Sequence, residues 1–301
     1  MSEQTYHTPV LLHESIEGLN IIASGIYVDV TYGGGGHSRA ILDKITTGKL
    51  IAFDHDADAE KNMQPNKNLI FINQNFRFIK NHLRFNNLYP VDGVLADLGV
   101  SSHHFDQAER GFSIRFDAEL DMRMNRNTEK TATEIVNKYS EKDLRKMFFE
   151  YGELKQAAGI TRSILKAREE KKIKTTNDLK SVLHHFVGRE KPSKFFAKVF
   201  QALRIEVNDE MGALKNFLLS MDDVVRPGGR LVVITYHSLE DRMVKNFMRA
   251  GNIEGTQEKD FYGNLIRSFK PLFTKPITPN ETELQQNPRA RSAKLRVAEK
   301  N

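Results

Sequence analysis

The sequence predicts an α/β fold: a doubly wound parallel sheet into which a helical subdomain is inserted. Three observations carry this. Short apolar runs alternate with helical stretches over the first hundred residues, and a glycine-rich loop joins the first run to the first helix. Helical periodicity then fills most of the gap between Ser102 and the next clear strand at Arg230. At 301 residues the chain exceeds the usual single-domain size, so a large domain carrying an insertion suits its length.

In chain order, residues 25–30 predict the first strand, which enters the loop Gly33-Gly34-Gly35-Gly36, and residues 38–42 open a helix. Residues 49–53, 69–72 and 91–96 predict the second, third and fourth strands, each followed by polar or turn residues. Beyond Ser102, Leu144, Met147, Phe148 and Tyr151 lie at helical spacing behind Ser140, with Asp143 as its partner and Gly152 closing the helix. Thr175 and Asp178 repeat that signature ahead of Leu179, Val182, Leu183 and Phe186. Phe196, Val199, Phe200 and Leu203 form a third stripe, and such stripes face a core. Residues 105–205 are therefore expected as the inserted helical subdomain, and 1–104 with 206–301 as the α/β domain. The α/β pattern resumes with a helix bearing Leu214, Phe217, Leu218 and Met221, a turn at residues 226–229 and a buried strand at 230–235. A helix capped by Ser238 with Asp241 follows, and residues 293–297 alternate as a half-exposed strand.

Composition narrows the function. Hydrophobic residues make up 39% and charged residues 28%, ordinary for a globular protein, and no apolar run approaches the roughly 20 residues that span a bilayer. The N-terminus lacks a signal-peptide pattern, so no membrane association and a cytoplasmic location are expected. Cysteine is absent, which excludes disulfides, thiolate zinc sites, iron–sulfur clusters and a cysteine nucleophile. The net charge of +6 is unevenly placed: residues 160–200 hold eleven basic side chains against four acidic ones. A solvated helix face or a phosphate-binding surface would each produce this.

The glycine loop lets backbone approach a ligand closely, and Asp54, at the end of the second strand, suits a carboxylate that accepts ribose hydroxyls. Together they indicate a bound nucleoside. Ser38 stands where a dinucleotide fingerprint has its third glycine, which weakens a dehydrogenase reading. Asp29 precedes the glycines where class I methyltransferases usually carry an acidic residue, while Asp56 and Asp58 suit helix caps. Asp97 ends the fourth strand, where it could present an acceptor to a target amine, bind the methionyl amine or cap a turn. The pairs His103-His104 and His184-His185 lack metal-ligand spacing, so no metal is expected, and no phosphate-loop Lys-Ser or Lys-Thr follows the glycines.

Several longer strings are more specific: His7-Thr8-Pro9-Val10-Leu11-Leu12, Gly35-Gly36-His37-Ser38, Asp97-Leu98-Gly99-Val100-Ser101-Ser102, Glu109-Arg110-Gly111-Phe112-Ser113, Leu120-Asp121-Met122-Arg123-Met124, Tyr236-His237-Ser238-Leu239-Glu240-Asp241-Arg242 and Asn287-Pro288-Arg289-Ala290-Arg291-Ser292. In this order the chain resembles the RsmH (MraW) family over nearly its whole length. The resemblance implies a class I, Rossmann-like S-adenosylmethionine-dependent methyltransferase domain with an inserted helical domain. It also implies action on the N4 amine of a cytidine in 16S rRNA of the small ribosomal subunit, near the decoding centre. Carried over by position, the cofactor contacts are Gly35, Gly36, His37, Asp54, Phe76, Asp97 and His104. The family usually reads Ser-Ser-Pro-Gln where this chain has Ser101-Ser102-His103-His104.

The absence of cysteine independently favours nitrogen over carbon 5, because carbon 5 methylation of cytosine generally needs a thiol to activate the ring. Attack by N4 needs alignment and acceptors for the amine hydrogens. Asp97 and backbone carbonyls of residues 99–102 are expected to orient the reacting groups, and Tyr236 and His237 to wall an extruded base. The basic insertion, with Lys171, Lys172 and Lys174, and residues 289–296 are expected to hold the RNA. A nicotinamide dehydrogenase and a non-catalytic ribosome-assembly factor stay open on the residues alone, as does the oligomeric state.

Overall fold

A computed structural model describes residues 9–99, 108–188 and 191–301. The chain divides into two compact units, Met1–Gly99 with Met211–Asn301, and Val100–Glu210. The divisions fall a few residues from the expected 104/105 and 205/206. At the second one the reason is visible, because the helix Pro192–Asn208 runs unbroken through residue 205.

Among the described residues the first unit holds a seven-stranded sheet in the order β3-β2-β1-β4-β5-β7-β6. Its strands are β1 (Ile26–Asp29), β2 (Lys49–Asp54), β3 (Leu69–Asn73), β4 (Val91–Asp97), β5 (Val225–Thr235), β6 (Phe269–Pro271) and β7 (Lys294–Lys300). β1 to β5 are parallel, and β7 runs antiparallel to both β5 and β6. Apolar runs such as Leu50, Ile51, Ala52 and Phe53 are wholly buried, as a sheet covered on both faces requires. Helices α1 (Leu12–Leu19) and α2 (Gly36–Leu42) supply Ile16, Leu19 and Ile41 to one core cluster; α3 (Ile79–Phe85) supplies Ile79 and Leu83 to another.

Two expectations shift. Residues 226–229 do not form a free turn but lie within β5, which pairs Val91 with Val225 and then Gly93 with Arg230; the extra residues are absorbed as an irregularity, with Gly228 at a φ of 77°. The helix after β5, Ser238–Ala250, is capped by His237 rather than Ser238: its imidazole accepts the Glu240 N–H at 3.4 Å, and the Glu240 carboxylate accepts the His237 N–H at 3.3 Å. An imidazole nitrogen can fill the role that a hydroxyl usually takes.

The second unit is helical, with its own core. Leu144, Met147 and Phe148 from Glu141–Glu150, Leu179 and Leu183 from Thr176–Leu183, and Phe196, Val199, Phe200 and Leu203 from Pro192–Asn208 are all buried together. Ser140 caps its helix by accepting the Asp143 N–H at 3.2 Å, and Thr175 and Asp178 form a reciprocal capping box. His184 and His185 sit on a short 3-10 turn rather than on the preceding helix.

Candidate active site

Asp29, Asp54 and Asp97 each close a parallel strand, and β1 is flanked by β2 on one side and β4 on the other. The chain leaves β1 toward β2 and β3, then returns to lay β4 on the opposite flank. At such a reversal the carboxyl ends of an open α/β sheet leave a crevice for a ligand.

The loop from β1 to α2 lies over this reversal. Gly35 has a φ of 73°, and a Cβ there would fall 2.7 Å from the Tyr32 hydroxyl; a Cβ on Gly36 would fall 2.1 Å from Pro9 Cγ. Both positions therefore demand glycine, because Tyr32 and Pro9 occupy the space that a side chain would take. Asp54 is tied to the loop: its Oδ2 accepts the Gly33 N–H at 2.7 Å and its Oδ1 the Asp56 N–H at 2.8 Å. Asp56 caps the short turn Ala57–Asn62 by accepting the Asp58 N–H at 3.1 Å.

Asp29 faces inward. Only 1% exposed, it accepts the Ser38 hydroxyl at 2.7 Å and the Thr31 N–H at 3.1 Å. Burial pushes its carboxyl above the ordinary range, against the pull of His37 and these donors. Asp29 thus braces both ends of the glycine loop. Thr31 extends the brace, because its hydroxyl accepts the Asp97 backbone N–H at 2.7 Å.

Asp97 is tied to Tyr236 and faces His37. Its Oδ1 accepts the Tyr236 hydroxyl at 2.7 Å, and its Oδ2 lies 3.8 Å from His37 Nδ1. His37, 6% exposed, donates through Nε2 to the Val10 carbonyl at 3.1 Å, since a carbonyl can only accept. Burial pushes the Asp97 carboxyl up to about 6, with His37 and the Tyr236 hydroxyl opposing and Asp29 and Glu240 adding to the rise. Burial and the Asp97 charge drive the Tyr236 phenol well above its usual value, so it remains a donor.

The structure therefore brings Gly35, Gly36, His37, Asp54 and Asp97 to one crevice. Phe76 lies just past β3 in the turn Phe76–Phe78, its ring edge-to-face with Phe217 at a centroid distance of 5.5 Å. His104 lies outside the described residues. Tyr236 and His237, expected as walls for a base, each hold a polar contact: the Tyr236 hydroxyl donates to Asp97 at 2.7 Å, and the His237 imidazole caps a helix 3.1 Å from Glu240 Oε1. Sequence reasoning missed Thr31, Glu240 and the Tyr236–Asp97 link. Ser38 in place of a glycine was the visible trace of the loop brace; nothing in the spacing of Tyr236 and Asp97, 139 residues apart, could reveal their contact.

The basic insertion separates into internal and outward groups. Arg168 donates to the carbonyls of Val136 and Tyr139 at 3.2 and 2.8 Å and Lys180 to that of Ile114 at 3.1 Å, whereas Lys171, 79% exposed, pairs with Asp178 at 3.3 Å on the surface. Arg162, Lys166, Lys172 and Lys174 are exposed. Near the C-terminus, Arg289 and Arg291 are exposed, Lys294 is 43% exposed and Arg296 is largely buried; the last two are tied to one carboxylate. They engage Asp241 at 3.2 and 2.7 Å. Among the described residues, no helix is long and apolar enough to cross a membrane.

Against known proteins, the model of the MraW methylase family matches residues 4–301. A protein named ribosomal RNA small subunit methyltransferase H from Bacteroides thetaiotaomicron is 54% identical, covering 99% of this chain and 98% of its own length. The protein of that name from Parabacteroides distasonis is 55% identical, again with 99% and 98% covered. A solved rRNA methylase from Streptococcus thermophilus aligns at 12% identity over 98% of this chain and 99% of its own, with a TM-score of 0.43.

Proposed function

The chain belongs to the MraW methylase family, and from that premise we propose that it methylates the exocyclic N4 amine of a cytidine in 16S rRNA. It is an S-adenosylmethionine-dependent rRNA methyltransferase; the acceptor atom, the contact residues and the RNA surface are this reading's own. The dehydrogenase alternative falls with family membership.

The crevice fits the cofactor. Gly35 and Gly36 let the loop pack closely on Tyr32 and Pro9 at the mouth of the crevice, and Asp54 at the end of β2 is fixed by the Gly33 N–H where it can accept ribose hydroxyls. Gly35, Gly36, His37, Asp54, Phe76, Asp97 and His104 would hold it. When bound, S-adenosylmethionine supplies an electrophilic methyl group on a sulfonium.

Asp97 carries the chemical reading. It is a carboxylate at the floor of the crevice, 24% exposed, oriented by Tyr236 and His37, in a chain without cysteine. Such a group accepts an amine hydrogen and aligns the nitrogen lone pair, which is the main demand of transfer to N4. No thiol is available for the ring activation that carbon 5 requires. RNA is held by the exposed Arg162, Lys166, Lys172 and Lys174 of the insertion, and the enzyme works in the cytoplasm on the small ribosomal subunit.

The test incubates the protein with methyl-labelled S-adenosylmethionine and either free 16S rRNA or isolated small subunits from cells lacking the enzyme. Label in rRNA cytidine is expected. RNA binding without label would indicate a non-catalytic assembly factor and overturn the proposal.

A further inference from the structure

The link from Tyr236 to Asp97 suggests a role that the reaction itself does not name. We propose that Tyr236 is a positioning residue that acts through Asp97, its hydroxyl holding that carboxylate charged and aimed during methyl transfer. This rests on the reading of Asp97 as the group that orients the reacting amine or the methionyl amine.

The geometry is specific. Tyr236 follows β5 directly, and its backbone N–H donates to Glu240 Oε2 at 2.9 Å, which fixes the residue at the head of the helix Ser238–Ala250. Its ring lies against Gly99, where a Cβ would sit 3.2 Å from Cδ2, so this glycine makes room for the ring beside Asp97. From there the hydroxyl meets Asp97 Oδ1 at 2.7 Å. Each charged group facing Asp97 has a place in this arrangement. His37 from α2 favours its charge, whereas Asp29 from β1 and Glu240 from the helix after β5 oppose it; Glu283 faces Tyr236 itself. With burial and two carboxylates working against ionisation, the phenol is one of the two groups that keep Asp97 an anion. A hydrogen bond to the charged form favours that form.

Tyr236→Phe keeps the ring and removes the donor. The sign follows: Asp97, which titrates at about 6, should titrate higher, by about one unit. The acid limb of the pH profile of kcat/KM should move up equally, and turnover at alkaline pH, where Asp97 is charged in both proteins, should stay below that of the unaltered enzyme because the carboxylate is no longer aimed. A ring-fluorinated tyrosine at the same position, a stronger donor, should move both midpoints down.

The direct measurement is carbon NMR titration of the Asp97 carboxyl, assigned with Asp97→Asn, in the full-length protein with and without S-adenosylmethionine. It reads the carboxyl even if methyl transfer proves to use another acceptor, so failure of this inference and failure of the N4 reading are distinguishable. Opposite shifts in the Phe and fluorinated forms support the role. An Asp97 midpoint unchanged in both overturns it. So does a Tyr236→Phe enzyme with an unaltered pH profile while Tyr236→Leu alone raises KM for RNA, the pattern expected of a ring that only packs or stacks.

Discussion

At the scale of single residues, the crevice holds charge at a cost to the fold. The Asp97 carboxyl rises from 3.8 to about 6 on folding, so the native state takes up its proton more readily than the unfolded chain. Its ionisation therefore destabilises the fold: the cost is fully present above the folded value and disappears as pH falls toward the unfolded one. The gap corresponds to at most about 3 kcal/mol. Asp97→Asn should raise the urea midpoint at about pH 8, lose that advantage at about pH 4 and lose methyl transfer at both; a midpoint below that of the unaltered protein at the higher pH would contradict the burial argument. Asp54 makes a simpler prediction. Removing the acceptor of ribose hydroxyls in Asp54→Ala should weaken S-adenosylmethionine binding by about 10- to 100-fold in calorimetry. Unchanged affinity would remove Asp54 from the site. Both carboxylates were legible in the sequence because each follows an apolar run at a strand end. Thr31 was not, because its role depends on where β4 lies in space.

At the scale of elements, caps and ion pairs decide where segments begin and how they dock. The helix after β5 is pinned to β7 by Asp241, 13% exposed, whose carboxylate takes Arg296 and Lys294. Burial raises its carboxyl, but these two cations more than offset that and hold it below its usual value. Stability from the pairing is thus present above the unfolded carboxylate range and lost as pH falls through the depressed folded value. Arg296→Met should cost about 2–3 kcal/mol near neutral pH, since one partner of a largely buried pair is removed, with the deficit narrowing in acid. If denaturant titration shows no loss, the pair is not structural. The sequence run containing Arg296 alternates as a strand, and that was readable. Which of its basic residues face a buried aspartate was not, because charge counts do not record direction. The cap moved by one residue for a related reason: Ser238 and Asp241 fit the usual pattern, but His237 and Glu240 fit it in space.

At the scale of the whole molecule, alternation of strand and helix and three apolar stripes were enough to read an α/β unit and a helical unit, each with its own core. The run at 226–229 was misread because a Pro-Gly-Gly turn signal also suits an irregular strand start. The basic concentration in the insertion was legible as a number, whereas the structure turns Arg168 and Lys180 onto backbone carbonyls and so separates them from the outward set. Reversing Lys166, Lys172 and Lys174 to Glu should weaken binding to rRNA and flatten its salt dependence, by about 0.7–0.9 in slope for each phosphate no longer neutralised. Cofactor affinity should stay unchanged. A salt slope equal to that of the unaltered protein would place the RNA elsewhere.

Mass spectrometry reads the methylated atom directly. Small subunits are methylated with a deuterated-methyl donor, the rRNA is digested to nucleosides, and the modified cytidine is fragmented. The deuterated methyl group is expected on the exocyclic nitrogen, lost with the amine, and absent from Asp97→Asn reactions. A deuterated methyl retained on ring carbon 5 would contradict transfer to nitrogen.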